Sequence, residues 1–211
     1  MSRFVILLSG PLKPTARLQA ELVGARTIAA DGGMAHAAPL GVEPELWVGD
    51  FDSSPPELQN RYAHVPRQVY PTGKDKTDGE LALEAALARG ARELLFLGAL
   101  GGRTDQTLNH LNLALRLAEQ GLRVRLSSGT EEAYPLLPGK LRLELAPGTR
   151  LSVVGFSDLE GLSLRGVRWP LEGASVKLGS SLTLSNEALG PVGLELSNGY
   201  GAIFVYLDPS A

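Results

Sequence analysis

Four segments in the first half of the chain are apolar at nearly every position and then stop at a glycine or an acidic residue. They are FVILLSG (4–10), TIAAD (27–31), ELWVGD (45–50) and ELLFLGAL (93–100). A strand with one wet face alternates apolar and polar residues, so an unbroken run requires both faces to be buried, as in a parallel sheet covered by helices. The intervening segments have helical spacing. Pro14 to Leu22 is one; Thr77 to about Arg89 is another, with Leu81, Leu83, Ala85 and Leu87 among its apolar positions; Gln106 to Glu119 is a leucine-rich third. RQVY (67–70) and RVRLSS (123–128) complete the series. Strands alternating with helices of this length predict a Rossmann-like α/β domain with a mostly parallel sheet over residues 1–130.

After Ser128 the pattern changes. KLRLELAPGTRLSVVGFSD (140–158) alternates apolar and polar residues between turn residues, and SLRGVRW, SVKLG, SLTLS, GLELSNG and AIFVYLD continue in the same way. This predicts a small all-β antiparallel sandwich over residues 131–211, each of these segments being read as a strand. The boundary is expected near TEEAYPLLPGK (130–140), with no long linker. Of the 211 residues, 44% are hydrophobic and 20% charged, the formal net charge is -3, and cysteine is absent. Disulfides, thiolate metal sites and Cys nucleophiles are thereby excluded. No basic run argues for nucleic acid, and no apolar stretch has the length of a bilayer span. The opening MSRFVILLSG lacks a cleavage site and reads as a first strand rather than a signal peptide. A soluble, cytoplasmic chain is expected.

Ligands of open parallel sheets bind beyond the carboxyl ends of the strands, and there the unusual polar residues concentrate. Asp31-Gly32-Gly33 follows TIAA. Gly49-Asp50-Phe51-Asp52-Ser53 follows ELWV. Pro71 to Asp78, with Lys74, Asp75, Lys76 and Thr77, follows RQVY. Gly101-Gly102-Arg103-Thr104-Asp105-Gln106 follows ELLFLGAL. Each has a bland explanation. Asp-Gly-Gly is a common turn, Asp52 suits the cap of the helix after Pro55, and Thr77 with Glu80 matches a capping box. Thr104 suits a cap as well, with Asp105 in the first helical turn. Capping alone does not require four acidic loops on one sheet edge. Carboxylates in number, with His36, His64 and His110 lacking metal-ligand spacing, suit a hard cation such as Mg²⁺, which completes its shell with substrate phosphates. Lys74, Lys76 and Arg103 match phosphate charge, and glycines beside helix starts let backbone N–H groups approach it. The residues therefore point to a Mg²⁺-dependent site for a phosphorylated nucleotide. Neither a Walker A pattern nor a protein-kinase motif set is present.

Four motifs in order, DGG (31–33), GDFDS (49–53), KDKTDGELAL (74–83) and GGRTDQTLNHL (101–111), together resemble the thiamine pyrophosphokinase family, and GSSLTLSNEA (179–188) is similar to its thiamine-binding segment. The resemblance implies a homodimeric transferase in which the hydroxyl of thiamine attacks the β-phosphorus of ATP, giving thiamine diphosphate and AMP with Mg²⁺. It implies Asp50, Asp52 and Asp78 as metal and catalytic carboxylates, with Asp75 beside them. Asp31, Gly32, Gly33, Lys74, Lys76, Thr77, Gly101, Gly102, Arg103, Asp105 and Gln106 fall on the nucleotide side, and Ser181, Ser185 and Asn186 on the thiamine side, where a partner subunit is expected to complete the site. The chain departs from the family pattern at Gln106, where His is frequent, and at Ala188, where an aromatic residue is frequent. Two other readings compete: a Mg²⁺-dependent phosphatase with Asp50 as aspartyl nucleophile, whose D-x-D motif normally follows the first strand rather than the third, and a non-catalytic nucleotide or vitamin sensor.

Overall fold

The computed structural model describes residues 2–52, 54–71, 73 and 75–207. The chain divides into two compact units, one of residues 1–107 and 122–129, the other of residues 108–121 and 130–211.

In the first unit six strands form a wholly parallel sheet. They are β1 (Arg3–Leu7), β2 (Arg26–Ala30), β3 (Leu46–Gly49), β4 (Arg67–Val69), β5 (Glu93–Leu97) and β6 (Arg123–Ser127), in the order β4-β3-β2-β1-β5-β6. Val5 pairs with Thr27 on one side and with Leu95 on the other. The unbroken apolar runs are explained by burial of both faces. Val5, Leu7, Ala29, Trp47, Leu95 and Leu97 pack in one cluster with Leu18, Leu22, Leu40 and Tyr62. Phe4, Ile6, Ile28, Val48, Leu94 and Phe96, one residue out of phase, are buried as well and so belong to the opposite face. Helix α1 (Ala16–Glu21) starts at Thr15, whose hydroxyl accepts from the Leu18 N–H. A short 3-10 turn (Asp31–His36), α2 (Ala37–Leu40) and α3 (Pro56–Arg61) follow, and α4 (Asp78–Ala88) packs across β1, β2 and β3. The neighbours of β1 are reached in opposite directions along the chain, so the order reverses between β1 and β5, and the loops after all six strands emerge at one edge.

Helix α5 (Thr104–Glu119) begins in the first unit, and its residues from Leu108 onward group with the second. Thr104, expected as its cap, is instead its first residue. The second unit is antiparallel throughout. β7 (Glu131–Leu136), β13 (Gly201–Tyr206) and β9 (Arg150–Gly155) form one ladder; β8 (Gly139–Leu143), β12 (Asn186–Leu196), β10 (Leu159–Val167) and β11 (Leu171–Val176) form the other. Strand β12 belongs to both, because Asn186 and Glu187 pair with β9 before the strand continues against β10 and β8. Both ladders bury one core, with Leu151, Val153, Ile203 and Val205 from the first and Leu143, Leu162, Leu164, Val192 and Leu194 from the second.

Of the expected strands, SVKLG (175–179) shares only Ser175 and Val176 with β11, and another is not a strand at all. SLTLS (181–185) is a looped segment, with Leu182 and Leu184 outside and Thr183 buried. The Thr183 hydroxyl donates to the Val153 carbonyl at 2.7 Å, and Ser185 takes a left-handed φ of 58°. The alternation is real, but its polar member faces in, which a hydroxyl tolerates once it is hydrogen-bonded. Among the described residues no helix is long and apolar enough to cross a membrane.

Candidate active site

The loops after β2, β3 and β4 each deliver one acidic residue to a common place. Asp31 follows β2 directly and opens the 3-10 turn with a φ of 40°, a conformation few residues other than glycine adopt. Its carbonyl accepts the Trp47 indole N–H at 2.8 Å, and Gly49 lies so near that a Cβ there would sit 3.1 Å from the Asp31 Cβ. Gly33 lies against the end of β1, where a Cβ would fall 2.2 Å from the Leu7 carbonyl oxygen. Asp-Gly-Gly is therefore a close backbone crossing as well as a turn.

Asp50 and Asp52 flank Phe51, which is buried with a φ of 65° and meets Trp47 edge to face with ring centroids 4.9 Å apart. The Arg67 guanidinium lies over both rings, 4.9 Å from Trp47 and 5.1 Å from Phe51. Turning Phe51 into the core sets Asp50 and Asp52 on either side of a sharp bend. The Asp52 N–H reaches back to Asp50 Oδ1 at 3.3 Å, and Asp52 itself is exposed. It does not cap α3, whose cap position is Pro55. Asp78 is the first residue of α4, after a complete capping box in which the Glu80 N–H donates to Thr77 Oγ1 at 3.2 Å and the Thr77 N–H to Glu80 Oε2 at 3.0 Å.

The result is a group of three carboxylates, Asp31, Asp50 and Asp78, whose oxygens lie within 4.8 Å of one another. Asp52 and Asp75, both exposed, fall outside this group, and Lys74 lies outside the described residues. The donor set is all oxygen, with neither sulfur nor imidazole, which is the chemistry Mg²⁺ takes. On an octahedral ion with bonds of about 2.1 Å, adjacent oxygens stand about 3.0 Å apart and opposite ones about 4.2 Å, so three oxygens within 4.8 Å of one another would draw together on binding it.

The basic residues are engaged locally. Lys76 Nζ pairs with Glu84 Oε1 at 2.6 Å, and that hydrogen bond raises its pKa. Arg103 grips Asp105 with two hydrogen bonds, Nη2 to Oδ2 at 2.6 Å and Nε to Oδ1 at 3.1 Å. The guanidinium, followed by the Gln106 backbone N–H, holds the Asp105 carboxyl below the ordinary carboxylate range. Gly101 and Gly102 carry φ values of 74° and 71° just before α5, and the Gly101 carbonyl accepts the Thr107 hydroxyl at 3.1 Å. Gln106 is exposed in the first turn.

In the second unit, Ser181 and Ser185 are exposed, and the Ser185 N–H donates to the Ser152 hydroxyl at 3.0 Å. Asn186 is buried. Its Oδ1 accepts from the Trp169 N–H at 3.2 Å and the Glu187 N–H at 2.9 Å, and its Nδ2 donates to the Trp169 carbonyl at 2.8 Å. The indole so held is exposed, with the Arg168 guanidinium 5.1 Å from its centroid. Neither Trp169 nor Ser54, whose hydroxyl donates to Asp31 Oδ1 at 2.9 Å, was singled out from the sequence. A tryptophan between a strand and a proline was the one available sign of the first; a serine after an acidic turn gives no sign of the second.

Comparison with known proteins points one way. A family model described as thiamin pyrophosphokinase, catalytic domain, matches residues 23–126, and one described as thiamin pyrophosphokinase, vitamin B1 binding domain, matches residues 140–200. A thiamine pyrophosphokinase from Bacillus subtilis is 31% identical over 166 residues, covering 77% of this chain and 78% of the relative. Among solved structures, thiamine pyrophosphokinase from Bacillus subtilis superposes with a TM-score of 0.84 at 27% identity, over 98% of this chain and 99% of the other. Thiamin pyrophosphokinase from Geobacillus thermodenitrificans gives 0.81 at 25%, over 98% of each chain.

Proposed function

The chain belongs to the thiamine pyrophosphokinase family, and on that premise we propose that it transfers the diphosphoryl group of ATP to the hydroxyl of thiamine, with Mg²⁺, yielding thiamine diphosphate and AMP. The observation that carries the assignment of the site is the convergence of Asp31, Asp50 and Asp78 from three successive loops at the carboxyl edge of the parallel sheet. We read residues 1–130 as a Rossmann-like catalytic domain and residues 131–211 as a thiamine-binding β-sandwich.

Asp31, Asp50 and Asp78 would hold the ion, which when bound neutralises phosphate charge and supplies Lewis acidity at the transferring group. Phosphoryl transfer asks little covalent work of a protein, and positioning with charge stabilisation carries most of it. Asp52, one residue beyond the bend at Phe51, is left to orient the thiamine hydroxyl, with Asp75 on the neighbouring loop. The glycines before α5 expose backbone N–H groups to phosphate oxygens, and Asp105 fixes the Arg103 fork beside them, with the guanidinium donors it does not occupy available to phosphate. Lys76 adds charge on the same edge.

On the vitamin side, Ser181 and Ser185 offer hydroxyls, and the exposed Trp169 indole suits the cationic ring of thiamine. Asn186 serves that site through the Trp169 backbone. The loop beside it exposes Leu178, Leu182 and Leu184, and adjoining exposed apolar side chains of this size suit an interaction surface, which a second copy of the chain would cover in the homodimer that the family resemblance implies.

Incubation with Mg²⁺, ATP and thiamine, with chromatography of the nucleotides and of the thiamine esters, tests the reading. AMP and thiamine diphosphate in equal amounts are expected. ADP would replace it with single phosphoryl transfer, inorganic phosphate with a hydrolase, and no turnover with a sensor.

A further inference from the structure

We infer that Ser54 is a positioning residue for the Asp31 carboxylate, locking it in the orientation from which it binds the divalent ion; the inference rests on the metal site read above. Ser54 is 4% exposed, and its hydroxyl donates to Asp31 Oδ1 at 2.9 Å across two different loops. A carboxylate on a fixed backbone still turns about its two side-chain bonds. Here the Trp47 indole and the crowding at Gly49 fix the backbone, and the Ser54 hydroxyl acts on those two bonds.

Ser54 is itself held from behind. Its N–H donates to the Phe51 carbonyl at 3.3 Å, and its own carbonyl accepts the Gln59 amide at 2.9 Å. The Arg67 guanidinium then fixes Gln59, donating to its backbone carbonyl at 2.8 Å and its side-chain oxygen at 3.2 Å, while lying over Phe51 and Trp47. A chain of contacts thus runs from Arg67 on β4 through Gln59 on α3 to Ser54 and the carboxylate. Before an ion arrives, three carboxylates within 4.8 Å repel one another. A buried hydroxyl donor opposes their separation and lowers the reorganisation that binding requires. Groups that orient a metal's ligands in this way typically change affinity or activity about 10- to 100-fold when removed.

The test uses the full chain and Mn²⁺ alone as probe, titrated without nucleotide and followed by its paramagnetic resonance signal, for the wild type, Ser54→Ala and Asp50→Asn. Ser54→Ala is expected to weaken Mn²⁺ binding about 10-fold, and to raise the Mg²⁺ concentration for half-maximal turnover by more than it lowers kcat. Unchanged Mn²⁺ affinity in Ser54→Ala, alongside tight binding by the wild type and loss in Asp50→Asn, overturns this inference alone, whether or not the variant's Tm falls. Failure of the wild type to bind Mn²⁺, or equal binding by Asp50→Asn, overturns the reading of the metal site and this inference with it. Should Ser54→Ala not fold, Ser54→Cys, which keeps the volume with a weaker donor, is read by the same criterion.

Discussion

Asn186 spends both ends of its amide on the polypeptide backbone, holding the N–H and the carbonyl of Trp169 and the N–H of Glu187. Replacing it with alanine removes three hydrogen bonds to part-buried backbone groups, each worth about 0.5–1.5 kcal/mol. Asn186→Ala is therefore expected to lose about 1.5–4 kcal/mol in urea denaturation, on the scale of those three bonds, and to raise KM for thiamine as the indole loosens. A loss under 0.5 kcal/mol, within the ordinary range of surface changes, would return Asn186 to a direct ligand contact. Its place in the motif was legible from the sequence, but the direction of its amide was not. The acidic loops show the same division. The sequence placed acidic residues in four loops and took Asp50, Asp52 and Asp78 as the metal set, where the folded chain brings together residues from three of those loops and groups Asp50 and Asp78 with Asp31. A left-handed φ at Phe51, forced by burying the ring against Trp47, decides which neighbour joins the group, and no spacing rule in a sequence reports that angle.

The strands of the parallel sheet were legible because burial of both faces writes itself as an unbroken apolar run. The segment after TIAA was not, since Asp31–Leu40 has no period of its own and its 3-10 turn is shaped by contact with the end of β1. SLTLS misled for the opposite reason, having a period but with the hydroxyl inward. Helix α4 was read from both its pattern and its start. Its capping box satisfies two amides that the helix leaves open, and it sets Asp78 in the first turn. Thr77→Ala is expected to lower stability by about 1 kcal/mol, seen as a lower urea midpoint at unchanged m. Thr77→Ser, which keeps the oxygen, is expected to restore most of it. Equal stability of the alanine variant would mean that tertiary packing, not the cap, defines the start of α4.

Over the whole chain, the change from unbroken to alternating apolar residues marked the passage from parallel to antiparallel pairing, because the two kinds of sheet bury different numbers of faces. What the pattern did not carry is connectivity. Neither the strand order about β1 nor the double membership of β12 follows from periodicity, since both depend on which strands meet after collapse. The second of these has a consequence for how the protein opens. A strand that is the last rung of one ladder and the central rung of another acts as a rivet: withdrawing it undoes both at once. Native-state amide exchange in rising denaturant should then place Leu151 and Val153 on β9 in the same cooperative unit as Val192 and Leu194 on β12, their opening energies merging on one isotherm. Two isotherms that stay apart would show the ladders unzipping one after the other. With a single isotherm, the loop that carries Ser181 and Ser185 is tethered at its far end to a strand that does not fray.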